Sequence, residues 1–439
     1  MRVVSGLFFF PRGGSSHLAR SLTRALVELG DDVMLVAGSL GEAGGRSHAA
    51  TFFAGLDVLP VDYTPGSGVP FQPSYEERPG APDPVFAAVG DATFERLVDV
   101  WGDALARGGA AEADVLHLHH LTPMHEAARR RFGHVPVVGE LHGTELELVR
   151  QIDAGATWPH AAAWAERLRR WAAASRALLA APGVADEAAE RLGVPRERLV
   201  ELPGGVDLEL FDRRPVDRLA HWHRWLVEEP QGWDETGVPG SIGYTDAELA
   251  PIAAGRPVVL FAGRYTEVKR LPLLLAAHRR AQSEVGAPIP LVLVGGHPGE
   301  WEGVHPARLA GPNVFLAGWH AHDALADAIN ASDLLVLPSR SEAFGLVLAE
   351  AMACGIPVIA SAAQGPSRIV DDGETGWLVP VDDEDALAAA LTAAVTDDAE
   401  RARRGRLAAE RARARYGEAA VARRVHDTFA AVAYSGGDG

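Results

Sequence analysis

The 439-residue chain has one cysteine, Cys354, and one lysine, Lys269. A single thiol cannot close an internal disulfide, so stability must come from a packed core, and a reducing compartment fits. Cys354 sits among Ala351, Met352 and Ala353, which reads as core packing rather than as a nucleophile. No run of about 18 apolar residues is present, so no membrane span is expected. The opening MRVVSGLFFFPRGGSS has a short apolar run and no small-residue cleavage site before Pro11. It is expected to be a first strand rather than a signal peptide, and the expected location is cytoplasmic. Positive charge is scarce: the formal net charge is -18. That argues against general binding to nucleic acid or anionic lipid, but leaves room for a local basic pocket. No G-K-[ST] follows Gly13-Gly14, and there is no G-x-G-x-x-G. Both absences argue against an NTPase or a dehydrogenase.

What is present is abundant apolar material, 47% of a chain too long for one ordinary core. Short β-type runs alternate with helical runs. In the first half the strands are expected at 2–10, 31–38, 113–121, 135–143 and 177–184. In the second half they fall at 256–264, 290–296, 313–319, 333–339, 356–361 and 376–380. Leu18, Leu22, Leu26 and Leu29 recur at helical spacing and Gly30 stops that helix. Strands alternating with helices imply parallel sheets and an α/β class with two doubly wound domains. The expected division is 1–205 (N-terminal, acceptor side), 206–255 (linker or insert), 256–415 (C-terminal, nucleotide-sugar side) and 416–439 (a helix returning to the first domain). Two stretches break the alternation. Residues 63–84 are rich in Pro and Gly and read as a loop. Residues 212–255 hold Trp222, Trp225 and Trp233. This segment is long for a connection, so it should carry its own helix and a packed face. Its tryptophans either anchor it to one domain or line an acceptor or oligomer surface; anchoring is the simpler reading.

Chemistry-bearing residues gather where strands end. After the run 333–338 comes SEAFGLVLAE, 341–350, with Glu342 and Glu350 around Phe344-Gly345-Leu346. A helix starting there presents unpaired N–H groups of partial positive charge, suited to phosphate. Gly345 permits close backbone approach, and a carboxylate accepts from a ribose diol or a sugar. In FAGRYTEVKR, 261–270, the strand ends at Gly263 and Arg264, Lys269 and Arg270 follow. Such cations at a strand C-terminus form an anion site, Arg264 as a bidentate fork and Lys269 as a point charge. FPRGGSSHLARSL, 10–22, supplies Gly13-Gly14 and two serines, Ser15 and Ser16, as expected helix caps. LHGTEL, 141–146, ends another strand at His142, a candidate ligand to a sugar hydroxyl.

These four motifs, in this order, resemble the retaining glycosyltransferases of family 4. So do PGGVDLELF (203–211) and IVDDGETGWLVPVDD (369–383). The resemblance covers nearly the whole chain and is densest from Pro257 to Pro380. It implies the GT-B fold, two Rossmann-like doubly wound domains facing across a cleft. It implies a hexosyltransferase using a nucleotide-diphosphate sugar, UDP-sugar first and GDP-sugar second. By the resemblance, Glu350 binds the donor ribose, Glu342 faces the donor sugar, and Arg264 and Lys269, beside Gly263, hold the diphosphate. Phe344, Gly345 and Leu346 give backbone N–H groups, Gly14 approaches the donor, and His142 contacts the sugar near the anomeric centre. The catalytic set so implied is His142, Arg264, Lys269 and Glu342. The acceptor is a hydroxyl of a small molecule, a lipid-linked carrier or a glycan. Peripheral membrane contact and oligomeric state stay open, and no cofactor is expected. No Asp-x-Asp accompanies these turns, and Asp371-Asp372 and Asp382-Asp383 lie beyond them, so no metal is assigned. The chain departs from the family pattern at Gln364 and Arg368, where the family often has a glycine and a glutamate, and in the length of 212–255. Alternatives are a GT-B-like phosphorylase, a sugar-nucleotide epimerase or an inactive sugar-nucleotide-binding partner. A phosphorylase needs a cofactor lysine, and the one lysine here already has a phosphate role.

Overall fold

The computed structural model describes residues 1–77 and 82–434. Residues 78–81 of the Pro/Gly-rich segment and 435–439 of the C-terminal segment lie outside the described residues. The chain divides into two compact units. Unit 1 runs from Met1 to Gly205 and takes in the helix Glu418–Tyr434; unit 2 runs from Val206 to Gly417.

Unit 1 carries β1 (Arg2–Leu7), β2 (Asp32–Ser39), β3 (Val58–Asp62), β4 (Val115–His119), β5 (Val137–Leu141), β6 (Ala177–Ala180) and β7 (Leu199–Glu201). They form one parallel sheet in the order β3-β2-β1-β4-β5-β6-β7. Its inner strands are buried nearly throughout, which is why they read as unbroken apolar runs. One face packs Val3, Val115, Val138 and Leu179 against Leu22 and Leu26 of the helix Gly14–Glu28 and Val425 and Phe429 of the C-terminal helix.

Unit 2 carries β8 (Val259–Ala262), β9 (Leu291–Val294), β10 (Val314–Gly318), β11 (Leu334–Leu337), β12 (Val358–Ser361) and β13 (Gly376–Val379). Their order is β10-β9-β8-β11-β12-β13, again all parallel.

The structure departs from the sequence reading in instructive places. β1 ends at Leu7, not Phe10. Phe8 to Phe10 remain buried in an aromatic cluster, with Phe8 stacked on Trp101 at 5.3 Å, so their hydrophobicity serves packing rather than pairing. Two strands escaped the reading, β3 and β7, and both are sheet edges. β3 contains Pro60, which an edge tolerates, and β7 has three residues. Ser15 and Ser16 do not cap their helix: Gly13 is the N-cap, at φ 90, and Ser16 Oγ accepts from Arg12 N at 3.3 Å. Segment 212–255 lies within unit 2 and holds the short helices Arg218–His223 and Ala250–Ala253. Its tryptophans are anchors. Trp222 Nε1 donates to the Ala331 carbonyl at 3.2 Å and Trp233 Nε1 to that of Gly296 at 3.2 Å, while Trp225 stacks on His320 at 3.5 Å.

Candidate functional site

In unit 2 the chain steps outward from β8 to β9 and β10, then returns to lay β11 on the other side of β8. Loops leaving the C-termini of β8 and β11 therefore diverge, and such a switch point is where open parallel sheets hold ligands. The loop after β8 carries Gly263, Arg264 and Lys269; the loop after β11 carries Glu342, Phe344 and Gly345. The fold thus brings together the two motifs singled out in the sequence.

The pairing is direct. Lys269 Nζ and a Glu342 carboxylate oxygen form an ion pair across the switch point, each side chain 18% exposed. Arg264 is exposed, and among the described residues it has no hydrogen-bond or ion-pair partner. Arg270, in contrast, is engaged by Asp382, which also accepts from Arg340 Nε at 2.8 Å. Arg270 therefore braces the loop, while Arg264 remains available to an anion. The helix Leu346–Ala353 starts at Gly345, whose φ of 94 favours glycine. Phe344 is buried and packs edge-on against Tyr416 at 5.7 Å. Gly365 donates its N–H to the Glu342 carbonyl at 2.8 Å. A Cβ on Gly365 would lie 2.6 Å from Phe344 backbone atoms, so the loop's shape requires a glycine there.

Glu350, on the same helix, is 3% exposed and accepts a hydrogen bond from His322 Nε2 at 2.7 Å. His322 opens the helix His322–Asn330 after β10. Sequence reading missed it; a lone histidine in AHDALADAIN carries no signal until β10 and β11 are known to share a sheet. Cys354 is buried beside Asn330, and burial pushes its thiol up to about 12, so it is an inert core residue. Concavities of about 550 and 590 Å³ lie elsewhere in unit 2, and none of these site residues lines them.

Gly14 and His142 belong to unit 1. Gly14 opens its helix with no positive φ, and an added Cβ would meet nothing within 4 Å among the described residues. Neither conformation nor packing explains a glycine there. His142 follows β5, and Gly143 at φ 93 caps the next helix, Thr144–Asp153. His142 N donates to Glu145 Oε2 at 3.2 Å, and the other oxygen of Glu145 meets His120 Nδ1 at 2.8 Å. His120 and His142 rings lie 4.1 Å apart. Burial, aided by His120, pushes the His142 imidazole down to about 3, so it is neutral near pH 7. His119, His120 and Glu145 are neighbours that sequence reading did not single out. The signal was there: HLHH at 117–120 places histidines at the C-terminus of β4, and Glu145 stands three residues after His142.

Two family models match. The one described as Glycosyltransferase Family 4 covers 12–210, and the one described as Glycosyl transferases group 1 covers 247–411. A phosphatidyl-myo-inositol mannosyltransferase of Mycobacterium leprae is 35% identical over 52% of this chain and 61% of its own length. A D-inositol 3-phosphate glycosyltransferase of Catenulispora acidiphila is 32% identical over 65% of each. The chain thus spans less than two thirds of the length of either relative. Among solved structures, a sucrose-phosphate synthase of Thermosynechococcus elongatus superposes with TM-score 0.69, at 22% identity over 98% of each chain. Anabaena HepE in complex with UDP and glucose superposes with TM-score 0.68, at 16% identity over 98% of this chain and 100% of that one. At those identities the likeness speaks to fold, and the fold is GT-B.

His322→Ala should leave the buried Glu350 carboxylate without that donor. The expected cost is about 1–3 kcal/mol, the range for orphaning a buried polar group. It should appear as a lowered melting midpoint, and His322→Gln, which can still donate, should recover much of it. An alanine variant that melts like the wild type would contradict this role for His322.

Proposed function

The chain belongs to the group 1 glycosyltransferases of family 4, and on that premise we propose that it moves a hexosyl group from a nucleotide-diphosphate sugar to an acceptor hydroxyl, retaining anomeric configuration. UDP-sugars are the first donors to test and GDP-sugars the second. The relatives named for inositol phosphate and phosphatidyl-myo-inositol make a phosphorylated or lipid-linked inositol the first acceptor to test. One observation carries the reading: Arg264, unpartnered among the described residues, Lys269 and an open helix N-terminus meet two glutamates around one switch point, in a chain of net charge -18.

Breaking the bond from sugar to diphosphate develops negative charge on the leaving phosphate and oxocarbenium character on the sugar. Arg264, Lys269 and the N–H groups at Phe344, Gly345 and Leu346 stabilise the first as preorganised donors. In the free protein Glu342 neutralises Lys269. When a phosphate takes Lys269, Glu342 is freed toward the sugar, where a carboxylate can stabilise positive character. Glu350, oriented by His322, accepts from the ribose hydroxyls. No protein nucleophile is assigned; the acceptor attacks from the face the phosphate leaves, and that phosphate helps remove its proton. These residues supply the cationic charge, so the leaving group is handled without a metal. The roles of Gly14 and His142 belong to the same proposal and rest on the family resemblance.

Arg264→Ala and Lys269→Ala should each lower kcat on the order of 10²–10³-fold, as for the loss of one transition-state donor, with the fold intact by circular dichroism. Near-normal turnover in both would remove the phosphate site from this place. Millimolar Mg²⁺ or Mn²⁺ added to the purified enzyme should leave the rate unchanged, whereas a rate that starts near zero and rises with either ion would contradict metal-free leaving-group chemistry.

Glu350→Gln should raise the donor KM more than it lowers kcat, because ribose contacts persist from ground to transition state. Glu342→Gln should mainly lower kcat. Steady-state rates with donor varied at saturating acceptor decide this; an unchanged donor KM in Glu350→Gln together with a pure KM effect in Glu342→Gln would reverse the two assignments.

A further inference from the structure

A second constellation lies in unit 1, in residues the transfer chemistry does not use. On the helix-covered face that begins with Val3, Val115 and Val138, the pattern turns polar toward the strand C-termini. Side chains two apart share a face, so Ser5 follows Val3, His117 and His119 follow Val115, and Glu140 follows Val138. The register places them side by side: Ser5 pairs with His117, and His119 with Glu140. His117 Nε2 lies 2.9 Å and His119 Nδ1 3.2 Å from the same atom, Glu140 Oε2. The three ligand atoms fall within 4.8 Å of one another, on side chains no more than 8% exposed. Phe429 of the C-terminal helix covers His117 at 5.1 Å.

Among the other buried acids of unit 1, Glu126 meets Arg129, Arg130 and Arg170, Asp83 meets Arg12, Asp31 meets the N-terminal ammonium and His426, and Glu145 meets His120. On Glu140 two imidazoles converge on one oxygen, and among the described residues they are its side-chain partners. A buried carboxylate is ordinarily paired with a cation or bound to a metal. Tetrahedral bonds of 2.0–2.2 Å to Zn²⁺ put neighbouring ligand atoms about 3.3–3.6 Å apart, so the two separations to Oε2 need widen by only a few tenths of an ångström to admit the ion. Ser5 Oγ lies 3.4 Å from His117 Nδ1, where a second partner would orient a ligating imidazole. We propose that His117 Nε2, His119 Nδ1 and Glu140 Oε2 bind one divalent transition-metal ion, Zn²⁺ in kind, which pins β4 to β5. Two imidazole nitrogens and one carboxylate suit Zn²⁺ or Co²⁺ rather than Mg²⁺ or Ca²⁺. The phosphate cations of the transfer reading belong to unit 2, whereas His119 Nδ1 also lies 3.2 Å from Nε2 of His142, a contact that a metal on Nδ1 would replace.

The test uses the full chain, purified without a histidine tag. Mass spectrometry of metals should find about one zinc per chain, and metal-free protein loaded with Co²⁺ should show visible ligand-field bands of a low-symmetry site. Chelation should lower the melting temperature and Zn²⁺ restore it. Glu140→Gln keeps an oxygen that both imidazoles can donate to, so a merely hydrogen-bonded cluster would tolerate it. A metal site should instead lose at least tenfold in Zn²⁺ affinity, and Ser5→Ala about 10–100-fold. Wild-type protein that holds no zinc, shows no Co²⁺ bands and melts alike with and without chelator overturns the proposal. So does zinc retained equally by Glu140→Gln and His119→Ala, which would mark adventitious binding to other histidines.

Discussion

The Lys269–Glu342 ion pair ties together the two loops on which the unit 2 site is built. It joins the chain's only lysine, from the loop after β8, to an acid from the loop after β11. Exposed pairs contribute about 0–1 kcal/mol. This one is mostly shielded from water, so removing one partner leaves the other's charge poorly solvated. Around it the backbone leaves little freedom: Gly365 binds the Glu342 carbonyl, Phe344 is packed on Tyr416, and Gly345 starts the helix that bears Glu350. The pair also makes the proposed site responsive. A diphosphate competes with Glu342 for Lys269, and the displaced carboxylate becomes available to the sugar. Charge on the ligand would thus unmask the acid its chemistry needs.

Unit 1 applies a similar economy to imidazole. The face of the sheet that packs the core changes from valine to histidine, serine and glutamate at the strand C-termini, without leaving the cover of the C-terminal helix. Burial pushes the His119 imidazole down, as it does that of His142. Neutral imidazoles hydrogen-bond and ligate metals without the cost of a buried charge.

Much of the fold could be read from the sequence because inner strands of parallel sheets are apolar on both faces. VVLFA at 258–262 and DLLVLP at 333–338 leave little choice. Edge strands lack that signature, so β3, with Pro60, and the three-residue β7 went unread. Within the site, residues close in sequence were legible, since spacing alone puts Glu342 and Glu350 at either side of a helix start. Partners from other strands were not. His322 reaches Glu350 only because β10 and β11 enter one sheet, and Glu140 meets His119 only through the register of β4 with β5. That Lys269 faces Glu342 in the free protein, rather than standing open like Arg264, required the coordinates.

The central claim is that Arg264 and Lys269 form the diphosphate site, and calorimetry tests it without turnover or any knowledge of the acceptor. The nucleoside diphosphate of the preferred donor and its parent nucleoside would be titrated into wild type, Arg264→Ala and Lys269→Ala. Each variant should bind the diphosphate at least tenfold more weakly than wild type, about 1.4 kcal/mol, and bind the nucleoside alike. Equal diphosphate affinity in all three proteins, or a parallel loss for the nucleoside, would contradict the account.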